Sequence, residues 1–117
     1  MLQLTPQSTI FIATEPIDFR KGYDGLAAVC KQKLSRDPFS GSFFVFYNRP
    51  QTAFKILFFD GQGLCIFAKR LSQGRFVYKA HLKNTTSCYL QTCYRALQIL
   101  INNGDPDTAK LGKNWRA

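Results

Sequence analysis

Apolar positions along this 117-residue chain change rhythm several times. Thr9-Ile10-Phe11-Ile12-Ala13 is a short run of branched and aromatic residues, which predicts a strand. Asp18 then stands where a helix N-cap belongs, and Phe19, Tyr23, Leu26, Ala27, Cys30 and Leu34 recur at helical spacing. This stripe predicts a helix over about Phe19 to Leu34. Gly22 and Gly25 weaken it intrinsically by roughly 1 kcal/mol each relative to Ala, so a close backbone neighbour or an approaching partner is expected there.

Asp37-Pro38-Phe39-Ser40-Gly41 ends the helix and turns the chain. Three apolar runs follow: Phe43-Phe44-Val45-Phe46-Tyr47, Phe54-Lys55-Ile56-Leu57-Phe58-Phe59 and Leu64-Cys65-Ile66-Phe67-Ala68. Asn48-Arg49-Pro50-Gln51 and Asp60-Gly61-Gln62-Gly63 link them, and such short links between β-prone runs predict antiparallel hairpins. Ser72-Gln73-Gly74 turns into a fourth sheet strand, Arg75-Phe76-Val77-Tyr78, so a meander is the simplest topology. Leu90, Cys93, Tyr94, Leu97, Leu100 and Ile101 form a second helical stripe, with Thr85, Thr86 or Ser87 as its cap and Asn102-Asn103-Gly104 as its end. The expected order is β-α-β-β-β-β-α. That is a single small α+β domain over residues 1–104, with about four or five strands in a mostly antiparallel meander packed with two helices. Residues 105–117 read as a polar, mobile tail in which Trp115 is the large apolar residue.

Composition narrows what such a domain can do. The mass is 13.3 kDa, with 45% hydrophobic residues, 15% aromatic residues and eleven Phe. A chain this apolar can offset its ordering entropy, which excludes a disordered basic tail. Its length excludes a complete TIM barrel. Sixteen Lys and Arg against seven Asp and Glu give a net charge of +9 and a pI near 9.7. The excess is unevenly placed. Residues 61–104 contain no acid but carry Lys69, Arg70, Arg75, Lys79, Lys83 and Arg95. An ordinary solvated face mixes both signs, so an unrelieved basic stretch points to an anionic partner.

Residues 1–14 carry no charged side chain, so the basic opening of a secretory signal is missing, and no apolar stretch approaches the roughly 20 residues of a membrane span. A cytoplasmic location is the expectation. Cys30, Cys65, Cys88 and Cys93 form no CxxC pair and hold no finger spacing with His81, so buried free thiols are expected rather than a zinc site.

Few residues suit catalysis. There is no nucleophile elbow, phosphate-cradling Gly-rich loop or HExxH motif. Asp18, Asp24, Asp37 and Asp60 could gather around Mg²⁺ in a nuclease, but each has a structural role to hand: a helix cap, an ion pair with Arg20, a turn before proline and a hairpin opening. No catalytic residue, metal ligand or cofactor is therefore assigned. The cations have fewer structural duties. Arg20 and Lys21 would stand at the positive end of the first helix, where cations are disfavoured by about 0.3–1 kcal/mol each. Arg49 lies in a hairpin link, Lys55 in the strand after it, and Lys69, Arg70 and Arg75 flank one turn. Arg20, Lys21, Arg49, Lys69, Arg70 and Arg75 are the expected nucleic-acid contacts, suited to the phosphate backbone rather than to base edges. Phe43, Phe44, Phe46, Phe54, Phe58, Phe59 and Phe67 are needed for the core, which leaves Tyr47 and Tyr78, nearer strand ends, as candidates for stacking on bases.

These residues also carry a family resemblance. Asp18-Phe19-Arg20-Lys21-Gly22-Tyr23-Asp24-Gly25-Leu26 resembles the D-x-R-K-x-x-x-G-L opening of one bacterial family. Asp37 to Gly41 with Phe44-Val45-Phe46, then Lys55 to Gly63, then Lys69 to Phe76 complete an ordered set over residues 8–79. The chain is thus similar to TnpB, the second-reading-frame accessory protein of the insertion-sequence 66 family, which is unrelated to the RNA-guided nuclease sharing that name. The resemblance implies a small protein encoded beside a separate transposase and needed for efficient transposition, and it brings no catalytic residues. Joined with the basic charge, it leads to the expectation of a non-enzymatic accessory that contacts DNA, at transposon ends or as non-specific duplex, and assists that element-encoded transposase. The chain departs from the family pattern at Phe59, where Trp is usual, at Ser72, where an acid is frequent, and at Tyr78-Lys79, in place of Trp-Pro. Loss of the acid makes this member more basic around residue 70. A module that docks on the transposase without touching DNA is the alternative, and a metal-dependent nuclease the third.

Overall fold

Phe43–Tyr47 is buried at every position, which an ordinary half-exposed strand would not be. Strands covered on both faces read as continuous apolar runs, and this one lies at the middle of its sheet. The computed structural model describes residues 4–74, 89–92, 95, 97 and 98. Among them the elements are β1 (Ile10–Ala13), α1 (Tyr23–Gln32), β2 (Phe43–Tyr47), β3 (Ala53–Phe59), β4 (Leu64–Arg70) and β5 (Tyr89–Thr92).

The five strands form one sheet in the order β4-β3-β2-β1-β5. The β2–β3 and β3–β4 hairpins are antiparallel, as their short links predict. The meander expectation fails elsewhere. β1 pairs parallel with β2, Ile10 opposite Phe43 and Ile12 opposite Val45, with α1 as the crossover a parallel pair requires. β5 closes the other side of β1 in antiparallel register, Ala13 opposite Tyr89. The sheet is mixed, and Tyr89–Thr92 is a strand where the apolar spacing predicted the start of a second helix. Arg95, Leu97 and Gln98 are helical, and Leu97 is buried. The remainder of that expected helix, the expected strand Arg75–Tyr78 and the tail over 105–117 lie outside the described residues.

The first helix also begins later than its stripe predicts. Asp18 caps no helix. Its carboxylate accepts from the backbone N–H of Arg20 at 2.9 Å, and its carbonyl accepts from Lys21 N–H at 3.1 Å, so residues 18–21 form a turn of their own. Gly22 is the N-cap and offers no side-chain bond.

Two apolar layers flank the sheet. Leu26, Ala27, Val29, Cys30 and Leu34 of the α1 region pack on Phe11, Ala13, Phe44, Phe46 and Leu57. On the other face Ile10, Ile12, Val45, Tyr47, Phe54, Ile56 and Phe58 pack with Leu71 and Leu97. Truncating a fully buried phenylalanine here, such as Phe44 or Phe46, costs about 3–5 kcal/mol. Phe59 is only half-buried and Phe67 is exposed, so the edge of the expected Phe core thins toward β4. Cys30 is a buried free thiol whose pKa burial pushes up to about 12, while Cys65 is free but half-buried. Cys88 and Cys93 lie outside the described residues.

Candidate nucleic-acid interface

Strand direction decides where the cations meet. The registers bring the C-terminal ends of β1, β2 and β4 to the same end of the sheet as the N-terminal end of β3. Arg49 lies in the β2–β3 link at this end, and Lys69 and Arg70 are the last residues of β4, opposite Phe54 and Ala53. Arg20 and Lys21 sit in the segment after β1, which is tied to the same end: Ile17 N–H donates to the Tyr47 carbonyl at 3.0 Å. Five of the six cations expected to contact nucleic acid therefore gather at one sheet end. The sixth, Arg75, lies outside the described residues. Arg20 and Lys21 precede α1 rather than forming its first turn, and Gly22 is the N-cap.

The five are not equivalent. Arg20 is committed to Asp18, its guanidinium donating to both carboxylate oxygens at 2.8–3.2 Å, rather than to Asp24. This bond holds the Asp18 pKa down at about 2. The pair is exposed, so its strength is reduced by solvent screening. Lys21, Arg49 and Arg70 are exposed and form no ion pair among the described residues. Alternation along β4 puts Arg70 on the α1 side of the sheet and Lys69 on the other, so the cations wrap the sheet end instead of forming one flat row. Glu15 and Asp18 share this end, and burial together with Glu15 raises the pKa of Tyr47.

Lys21 is held in place from two sides. Lys55 Nζ donates to the carbonyl oxygens of Phe19 at 2.8 Å and Lys21 at 3.2 Å, and lies 5.0 Å from the centre of the Phe19 ring. The half-buried Lys55 is thus a clamp from β3 onto the 19–21 segment, a role its position in a strand did not announce. Gly25 supplies the second hold. A Cβ at Gly25 would meet Lys21 Cβ at 3.0 Å and Cγ at 3.2 Å, so the lysine stem lies across the bare first turn of α1. The glycine pair predicted a close backbone neighbour or an approaching partner; at Gly25 the neighbour is instead the Lys21 side chain, and at Gly22 nothing lies within 4 Å of the Cβ position.

The stacking candidates change as well. Tyr47 is 1% exposed and donates its hydroxyl hydrogen to the Thr14 carbonyl at 2.6 Å, so it is core, and Tyr78 lies outside the described residues. Arg36, which sequence reading passed over, stacks on Phe11 at 4.7 Å and on Tyr89 at 5.1 Å and donates to the Tyr89 hydroxyl, clasping β5 to the loop after α1. Among the described residues no three His, Cys, Asp or Glu side chains are placed to hold a metal ion. Nor, among these residues, is any helix long and apolar enough to cross a membrane.

Comparison with known proteins fits the ordered motifs. The family model described as IS66 Orf2 like protein matches residues 8–109. Two relatives come from Sinorhizobium fredii (strain NBRC 101917 / NGR234). The uncharacterized protein y4hO is 42% identical over 69 residues, 59% of this chain and 60% of the relative. The uncharacterized protein y4jC is 36% identical over 69 residues, 59% of each chain. The chain thus spans about three-fifths of the length of these relatives. No solved structure matches.

Proposed function

The chain belongs to the IS66 Orf2-like family, and from that premise we propose that it is a non-enzymatic accessory of transposition that binds the DNA backbone at the cationic end of its sheet. The observation that carries this reading is the convergence of Arg20, Lys21, Arg49, Lys69 and Arg70 from three separate parts of the chain. Cations on turns and strand ends suit phosphates, which run past a surface at regular spacing, better than base edges, which require an element inserted in a groove. Arg75, four residues beyond Leu71, extends the same basic run in sequence. The element's own transposase is the protein partner.

Duplex binding at low and raised salt is the direct test. Affinity should fall as salt rises, because each phosphate contact releases counterions. Absence of binding at low salt, or indifference to salt, overturns the backbone-contact reading. Capture of the transposase by a variant with Lys69, Arg70 and Arg75 all changed to Ala separates it from a docking module. A complex that survives while DNA binding disappears supports the proposal. A complex that disappears while DNA binding survives places those cations on the transposase instead. Incubation of DNA with the protein and Mg²⁺ or Mn²⁺ should leave the substrate uncut.

A further inference from the structure

Three large apolar side chains are open to solvent among the described residues: Tyr23 at 53%, Phe39 at 47% and Phe67 at 36%. Two have ring partners. Phe39 meets Phe59 edge-on at 5.4 Å with Lys31 Nζ 5.6 Å from its centre, and Phe67 lies 6.1 Å from Phe54. The Tyr23 side chain has neither a ring contact nor a hydrogen bond among the described residues.

An exposed tyrosine by itself is ordinary. Its setting is not. The segment leading to Tyr23 is fixed by the Asp18 turn and by the two bonds from Lys55, and the Lys21 stem is seated over Gly25. A cation without an ion pair and an open aromatic ring are therefore presented two residues apart on anchored backbone. Between them Gly22 has nothing within 4 Å of the position its Cβ would take, so the surface there is open. A single strand of nucleic acid offers the complementary pair, a phosphate next to a base with a free face. A duplex does not, because each base is covered above and below by its stacked neighbours.

We infer that the Phe19–Tyr23 segment receives a locally unpaired DNA strand, with Lys21 on a phosphate and Tyr23 stacked against a base. This rests on the reading of the cationic end as a DNA surface and adds the form of DNA it prefers. Tyr23 replaces the buried Tyr47 as the stacking residue.

The experiment compares a single-stranded oligonucleotide, its perfect duplex and the same duplex with an unpaired bulge, at one salt concentration. The single strand and the bulged duplex should bind about tenfold more tightly than the perfect duplex. Tyr23→Ala should abolish that preference and leave affinity for the perfect duplex unchanged, whereas Tyr23→Phe should retain it. Irradiation of a single strand carrying 5-iododeoxyuridine should attach it to the peptide containing Tyr23, a readout independent of any variant's folding. Equal affinity for all three DNAs, or a Tyr23→Ala protein with its preference intact, overturns the inference while the backbone reading stands. Failure of every DNA to bind at low salt overturns both.

Discussion

The two hairpin links of the sheet solve the same problem with different chemistry. In the β3–β4 link, Asp60 accepts from the N–H groups of Gln62 and Gly63, both at 2.9 Å. In the β2–β3 link, Asn48 does the equivalent work, accepting from Thr52 and Ala53 at 2.9 and 3.1 Å while its amide donates to the Thr52 hydroxyl. One cap is charged and the other neutral. The neutral one sits at the cationic end, directly before Arg49, and the charged one lies at the far end of β3. Seven residues of strand span about 23 Å, more than twice the Debye length of about 10 Å at 0.1 M salt. A carboxylate at residue 60 is thus screened from the cations, whereas one at residue 48 would not be. A turn can be held without placing a charge in the field of its neighbours, and the β2–β3 link uses that option, whereas the 18–21 turn at the same end is held by the Asp18 carboxylate, which answers Arg20 directly.

The strongest break of this contrast removes the cations themselves. Changing Lys21, Arg49 and Arg70 together to Gln should weaken duplex binding by roughly two to three orders of magnitude near 0.1 M salt, and flatten the log–log salt slope by about 0.9 for each phosphate no longer neutralised. Filter binding across a salt series measures both, and an unchanged slope would place the DNA elsewhere. Next in size is the exchange of caps. Asn48→Asp keeps the acceptor for Thr52 and Ala53, so unfolding stability should move by less than about 1 kcal/mol. DNA affinity should nevertheless drop by about tenfold, the worth of one cancelled phosphate interaction. Asp60→Asn at the other end should leave affinity unchanged. Equal effects from the two substitutions would remove the distinction between the ends.

That distinction was only partly legible in the chain. The runs Phe43–Tyr47, Phe54–Phe59 and Leu64–Ala68 announced β2, β3 and β4, because local branching and turn chemistry are written in adjacent residues. The neighbour relation of β1 was not, since parallel pairing is settled by a crossover rather than by any local signal. Continuous burial hid the alternation that would have shown which face each residue takes, and so Tyr47 read as a strand-end tyrosine when both its sides are covered. Tyr89–Thr92 was missed because Leu90 is followed at helical spacing by Cys93, Tyr94 and Leu97, and a short edge strand running into a helical segment shares that stripe. At the site, the cations were visible one by one. Their convergence, the Lys55 clamp and the neutral Asn48 required the registers.

Lys55 tests whether the cationic end is shaped or merely charged. Lys55→Met keeps the apolar stem but removes both bonds to the 19–21 backbone. Loss of those two charge-assisted bonds should cost about 1–2 kcal/mol in urea unfolding. DNA affinity should then fall to the level of Lys21→Ala, as the lysine loses its support. Lys31→Met, which removes an exposed cation over the Phe39 ring, is the comparison. A Lys55→Met protein that is destabilised yet binds DNA normally would show that the segment's geometry is irrelevant to binding.

The smallest expected effect runs in the opposite direction. Asp18 pairs with Arg20 at 2.8 Å, so one of the five gathered cations is already answered by a carboxylate. Asp18→Asn retains an oxygen for the Arg20 N–H but leaves the guanidinium free for a phosphate, and affinity should rise by a few-fold, with a salt slope steeper by up to about 0.9. The same change should be visible in acid. The folded-state pKa of Asp18 is lowered from 3.8 to about 2, so its contribution to stability is complete above about 4 and is lost as pH falls through about 2. Asp60 is also lowered, by the Gln62 and Gly63 N–H groups, and adds to the same limb from the other end of the sheet. Asp18→Asn should therefore flatten part of the acid limb while strengthening DNA binding at neutral pH, whereas Asp60→Asn should flatten it with no effect on DNA. If Asp18→Asn weakened binding, Asp18 would be serving the interface by orienting Arg20 toward DNA, and the pair would have to be counted as part of the binding surface rather than as a cation withheld from it.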